Sequence, residues 1–103
     1  MRPFTHLHVH SHYSLLDGLS KTEELVERAK ELGMTSLALT DHGVMYGTIE
    51  FYNTCREAGI KPIIGVEAYV APRSMHEKEG KQDSNYYHLT LLATNDAGYK
   101  NLI

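Results

Sequence analysis

Apolar residues along this 103-residue chain fall into short runs separated by amphipathic stretches, and the spacing within each run separates strand from helix. Phe4 to His10 alternates, so on an extended backbone Leu7 and Val9 face one way while His6, His8 and His10 face the other. Ser20, with Glu23 three residues later, has the form of a capping box and predicts a helix to about Leu32. Its apolar stripe is Leu25, Val26, Ala29 and Leu32, with Glu24, Glu27, Arg28 and Lys30 mostly on the solvated side and Gly33 available for a left-handed turn at the end. Thr35 to Thr40 is a strand apolar enough to be covered on both faces. A second helix starts at about Tyr46, carries Ile49, Phe51, Tyr52, Cys55 and Ala58, and stops at Gly59. Ile60 to Ala71 is a third strand, with Pro62 near its start and Pro72 past its finish.

Arg73 to Asn85 breaks this rhythm with a polar stretch that reads as a loop, and His76 within it reads as a surface histidine. Tyr86 to Thr94 is a fourth strand, and Asn95-Asp96-Ala97-Gly98 opens a helix that runs toward Ile103. The alternation predicts an α/β fold of about four parallel strands with intervening helices, joined by right-handed crossovers. In such folds ligands collect beyond the carboxyl ends of the strands. His10, His42 and Glu67 lie late in, or just after, their strands, and the loop holding Asp17 leaves the same edge as His10. His88 comes early in its run and fits this placement least well.

Composition narrows the classes. At 42% hydrophobic residues the chain can form one modest core, as a small domain or a piece of one. A formal net charge of -3 argues against an electrostatic grip on nucleic acid, which calls for clustered Lys and Arg. The single cysteine, Cys55, has no partner for an internal disulfide and sits where a small buried hydrophobe is expected, which suits a reducing compartment. No run approaches the ~18 apolar residues of a membrane span. Met1-Arg2-Pro3 leads straight into a strand rather than into a signal peptide's apolar core, so a cytoplasmic location without membrane contact is expected.

The candidate chemistry lies in the histidines and carboxylates. A His-x-His pair alone is as well explained by surface exposure, but His8 and His10 have company in Asp17, His42, Glu67 and His88, each within or just after an apolar run. Imidazoles suit zinc, manganese or iron, and carboxylates can bridge two ions and offset their charge. Divalent ions held this way polarise phosphoryl oxygens and activate water, so phosphoester hydrolysis is the natural chemistry. The chain has no nucleophile elbow, no reactive-cysteine context and no glycine-rich phosphate loop of the expected form.

Five segments carry a family resemblance: His6-Leu7-His8-Val9-His10-Ser11, Tyr13-Ser14-Leu15-Leu16-Asp17-Gly18, Leu39-Thr40-Asp41-His42-Gly43, Lys61-Pro62-Ile63-Ile64-Gly65-Val66-Glu67 and Gly98-Tyr99-Lys100-Asn101-Leu102-Ile103. Together they resemble the polymerase-and-histidinol-phosphatase (PHP) domain that opens bacterial replicative DNA polymerase III alpha subunits, over essentially all 103 residues. The resemblance implies a distorted TIM-like (β/α)7 barrel with up to three metal ions at the strand C-termini, of which residues 1–103 would be the N-terminal half. Under it, His8 and His10 match the first ligand pair, Asp17 the aspartate after the first strand, His42 the second-motif histidine, Glu67 the bridging carboxylate and His88 a fourth-strand histidine. Asp41 is expected to orient His42 from behind the metal ligands, His6 to be a hydrogen-bonded core histidine, and His12 to carry no ligand role. The family's remaining ligands come from later strands outside these residues.

Three functions of different class follow. The first is a metal-dependent phosphoesterase of the 3′–5′ exonuclease type within a DNA-directed DNA polymerase. The second is a non-catalytic, metal-stabilised scaffold that holds polymerase and proofreading exonuclease together. The third is a stand-alone phosphatase of the histidinol-phosphatase kind, against which the Gly98–Ile103 ending argues. DNA and other replicase subunits are the expected partners, and half a barrel on its own is expected to be marginally stable or to self-associate through its open sheet edge.

Overall fold

In the computed structural model, which describes residues 3–14, 18–74, 76 and 86–103, three helices accompany a three-stranded sheet of order β1-β2-β3. Helix α1 spans Thr22–Glu31 and buries Val26 and Ala29. Its N-cap is Lys21 with no side-chain cap, so the expected Ser20–Glu23 capping box does not form. Ser20 lies before the helix, where its carbonyl accepts the His12 N–H at 2.9 Å. The helix closes through Gly33 N–H to Lys30 O and Met34 N–H to Ala29 O, which leaves Leu32 past the last turn and exposed instead of on the buried stripe.

Strand β1 (Ser36–Leu39) is buried at Leu37, Ala38 and Leu39, its three consecutive apolar residues. Helix α2 (Thr48–Ala58) turns Phe51 and Cys55 inward and ends at Gly59. Those side chains join Val26, Ala29, Leu37, Leu39 and Ile60 in one core between the two helices and the sheet. Burial pushes the Cys55 thiol up to about 11, so it behaves as a small hydrophobe, the role its sequence context suggested.

Strand β2 (Lys61–Val70) changes partner half-way along. Lys61–Ile64 pair in parallel with β1, from Ser36↔Lys61 to Leu39↔Ile64, and Gly65–Val70 pair antiparallel with β3 (Tyr87–Leu92), from Gly65↔Leu92 to Val70↔Tyr87. The change falls at a glycine for steric reasons, because a Cβ on Gly65 would stand 2.4 Å from the Leu91 carbonyl oxygen. Helix α3 (Asp96–Leu102) follows, its N-terminus capped by Asn95 Oδ1 accepting the Gly98 N–H at 2.9 Å.

The expectation of about four parallel strands is therefore corrected twice. The last strand is antiparallel, because parallel neighbours need a crossover, usually a helix, whereas the polar stretch between Ala71 and Tyr86 has no helical apolar periodicity. The first run, Phe4 to His10, lies beside β1 without forming a regular strand. Ala38 N–H bonds to His6 O and Thr40 N–H to Val9 O, so three steps of the first run meet two of β1 and the ladder falls out of step. The Thr40 hydroxyl oxygen fills the gap by accepting the Val9 N–H at 2.9 Å. His6 is exposed against the edge of Phe4 instead of in the core. Asp17 and most of the polar 73–85 stretch lie outside the described residues, while His76 is exposed. Among the described residues no helix is long and apolar enough to cross a membrane.

Candidate metal centre

One buried carboxylate organises the site. Glu67 lies on β2 just past the change of partner, its backbone N–H bonded to Asp41 O and its carbonyl accepting the Gly43 N–H, so the chain after β1 is held against it. The residue is 6% exposed, and four imidazoles reach its two oxygens. His8 Nε2 and His10 Nε2 stand 2.7 and 2.5 Å from Oε2, His42 Nδ1 stands 3.5 Å from the same oxygen, and His88 Nδ1 stands 2.9 Å from Oε1. The rings touch in sequence, with centroid separations of 5.1 Å for His8–His10, 4.0 Å for His10–His42 and 5.1 Å for His42–His88.

Each side chain arrives by simple geometry. His8 and His10 are two residues apart on extended backbone and so share a face, as their spacing predicts. His42 follows β1 after Thr40 and Asp41. His88 is the ligand candidate that a parallel fourth strand left awkward. Because β3 runs antiparallel, its beginning lies beside the later half of β2, with His88 opposite Tyr69 and diagonal to Glu67.

Behind the imidazoles, Asp41 is 2% exposed and fully engaged. Its Oδ1 accepts the Ser11 N–H at 2.6 Å and the Ser14 hydroxyl at 3.0 Å, and its Oδ2 accepts the Ser11 hydroxyl at 2.8 Å. The Ser14 oxygen in turn accepts the His42 backbone N–H at 2.9 Å. Asp41 thus reaches His42 through Ser14, a longer route than the direct orientation expected from adjacency. Sequence reasoning passed over Ser11 and Ser14. Their only signal was a pair of small hydroxyls three apart after a histidine strand, which a turn explains equally well.

Burial alone would raise the Glu67 carboxyl, but hydrogen bonds from His8 and His10, with the charges of His42 and His10, outweigh it and hold the group down at about 2, against an ordinary 4.5. The donor set suits a divalent cation. His8, His10 and Glu67 form one triad and His42, Glu67 and His88 a second, with the ligand atoms of each within 4.8 Å of one another. Each present contact is a ring nitrogen against a carboxylate oxygen, and the same atoms can share a metal ion instead. With Glu67 common to both triads, the arrangement allows two ions to share one carboxylate.

Residues 6–103 match the family described as the PHP domain. The chain belongs to the PHP domain family. It is 54% identical over 103 residues to DNA polymerase III subunit alpha of Borreliella burgdorferi, covering 97% of this chain and 9% of that one. It is 50% identical to DNA polymerase III subunit alpha of Campylobacter jejuni, covering 100% of this chain and 8% of that one. The chain therefore spans less than a tenth of the length of either relative. Among solved structures it resembles an amidohydrolase from Chromobacterium violaceum, determined with sulfate and no metal, with a TM-score of 0.65, 28% identity, and coverage of 95% of this chain and 31% of that one. The fold is also that of a Bifidobacterium adolescentis protein named as a metal-dependent phosphoesterase, with a TM-score of 0.66, 21% identity and the same two coverages.

Proposed function

We propose that this chain is the N-terminal half of the PHP domain of a replicative DNA polymerase III alpha subunit, and that its histidine–glutamate cluster serves metal-dependent phosphodiester hydrolysis of the 3′–5′ exonuclease type. The observation that carries the reading is the convergence of His8, His10, His42 and His88 on the single buried carboxylate of Glu67. His8, His10 and Glu67 would hold one divalent ion, and His42, Glu67 and His88 another, with Asp17 a further ligand; zinc, manganese and iron all suit these donors. Bound divalent ions supply Lewis acidity toward a phosphoryl group and make water a stronger acid.

The chain's own residues do the rest. Glu67 remains ionised at neutral pH and offsets cationic charge from a buried position. Asp41, through Ser11 and Ser14, fixes the turn after His10 and the backbone at His42, so the imidazoles meet a substrate already oriented. His8, at 57% side-chain exposure, leaves the cluster open to solvent on one side, where a phosphodiester can approach. The 103 residues alone would turn over slowly, because ligands displaced by even about 1 Å can reduce rate ~100-fold. DNA, the other replicase subunits including a proofreading exonuclease, and a cytoplasmic setting belong to the same proposal.

The test is release of nucleotides from a 3′-labelled single-stranded DNA by the full-length polypeptide that carries this segment, with added manganese or zinc. Activity abolished by His10→Ala in a protein that still folds and polymerises supports the reading. Activity unchanged in that variant assigns the nuclease elsewhere, and no activity in the parent favours a metal-stabilised scaffold.

A further inference from the structure

Beside the metal centre stands an aromatic pair to which neither the donor set nor the family match gives a role. Tyr69 follows Glu67 by two residues on β2, and Tyr86, one residue before β3 begins, precedes His88 by two, so the alternation of an extended chain places both rings on the face that carries the ligands. The two rings meet edge to face at 4.6 Å. Tyr69 lies 5.3 Å from the His88 ring, parallel to the His42 ring at 6.4 Å, and Tyr86 lies 5.6 Å from His88. Yet Tyr69 is 50% and Tyr86 54% exposed, so each keeps open aromatic surface next to the cluster.

The placement is built into the backbone. Gly43, immediately after His42, has φ +61, and a Cβ there would stand 2.5 Å from the Tyr69 ring. A side chain at position 43 would push the tyrosine away from the histidines.

We infer that Tyr69 and Tyr86 form a stacking platform for the base of a nucleoside phosphoester whose phosphate lies at the histidine–glutamate cluster. The inference rests on the phosphoesterase reading of that site and specifies its substrate class. A small sugar phosphate has no π-face to stack on these rings, whereas every nucleobase has one that stacks without sequence preference. With a formal net charge of -3, stacking would add to the hold that the cluster has on the phosphate of a strand end.

The experiment titrates the full 103-residue chain, loaded with zinc, with thymidine 5′-phosphate and, separately, ribose 5-phosphate, and follows the tyrosine ring signals by NMR. Turnover of the dinucleotide pTpT by the full-length polypeptide that carries this segment is recorded in parallel. The expected result is binding of thymidine 5′-phosphate about tenfold or more tighter than of ribose 5-phosphate, with shifts at Tyr69 and Tyr86. Tyr69→Ala/Tyr86→Ala, checked for fold by circular dichroism, should erase the difference and leave ribose 5-phosphate binding as it was. Tyr69→Phe/Tyr86→Phe should retain the difference, because stacking needs the ring and not the hydroxyl. Equal affinity for the two ligands, or a base preference that survives the double alanine variant, overturns the platform. Base-dependent binding without turnover of pTpT supports the platform while counting against hydrolysis at this site.

Discussion

Glu67 is the residue on which the most interactions depend, and its protonation has a defined consequence. The fold holds its carboxyl at about 2 against an ordinary 4.5, so ionisation stabilises the folded state in full above that ordinary value and the contribution is lost as pH falls through about 2. In chelator-treated protein, the gap in urea midpoint between wild type and Glu67→Gln should hold steady down to about pH 4.5 and close between there and about pH 2; a gap that closes at higher pH would deny the depressed carboxyl. Ser14 carries the second prediction. Ser14→Ala removes a donor to buried Asp41 and the acceptor of the His42 N–H, leaving buried polar groups unmatched at a cost of ~1–3 kcal/mol. Denaturant titration should show that loss, and metal affinity should fall by ~10–100-fold, as when the hydrogen-bond partners behind metal ligands are removed. An unchanged affinity would make Ser14 a turn residue only. At this scale the shared face of His8 and His10 and the strand-end positions of His42 and Glu67 were readable from period-two spacing and apolar runs, while Ser11 and Ser14 were not, since a hydroxyl that caps a turn and one that binds a buried aspartate look alike in sequence.

Among the elements, β2 is decisive, since its first half belongs to a parallel pair and its second to a hairpin. The order of helices and strands was legible from apolar spacing, and the ends of β2 fell within a residue of those expected. Strand direction was not, because alternation reports which face a side chain takes and is silent on polarity. The informative feature was the lack of a helix-like pattern between Ala71 and Tyr86, and with it the early position of His88 becomes a consequence of topology. Phe4 to His10 misled in another way. Its pattern is that of a strand, but the hydrogen bonds with β1 step unevenly, and no local signal records register. Gly65→Ala tests the change of partner: the added Cβ meets the Leu91 carbonyl and should destabilise the chain by ~1–3 kcal/mol. Amide exchange should quicken across β3 and leave α1 unaffected; uniform quickening would mean that β3 is no separate weak point.

For the whole molecule, the apolar surface left open is as informative as the core. Leu89 and Leu91 alternate with His88 and Thr90 on β3, are 51% and 37% exposed, and β3 pairs only with β2 among the described residues. An edge strand bearing such side chains invites pairing with another copy. Light scattering should therefore show the mass of the isolated chain rising with concentration, and Leu89→Lys should return it to the monomer; a monomer at all concentrations would contradict this. The core between α1, α2 and the β1–β2 pair and the cluster around Glu67 are held by different contacts, so ligand variants are expected to lose metal before they lose the fold. The most direct measurement is elemental analysis of the purified chain for zinc, manganese and iron, with His8→Ala/His10→Ala and Glu67→Gln prepared alongside and checked for fold. Metal in the wild type that falls in the double histidine variant and further in Glu67→Gln is the predicted result, since Glu67 belongs to both triads. Folded wild-type protein that takes up none of the three metals, or equal metal in all three proteins, would contradict a metal centre built on Glu67.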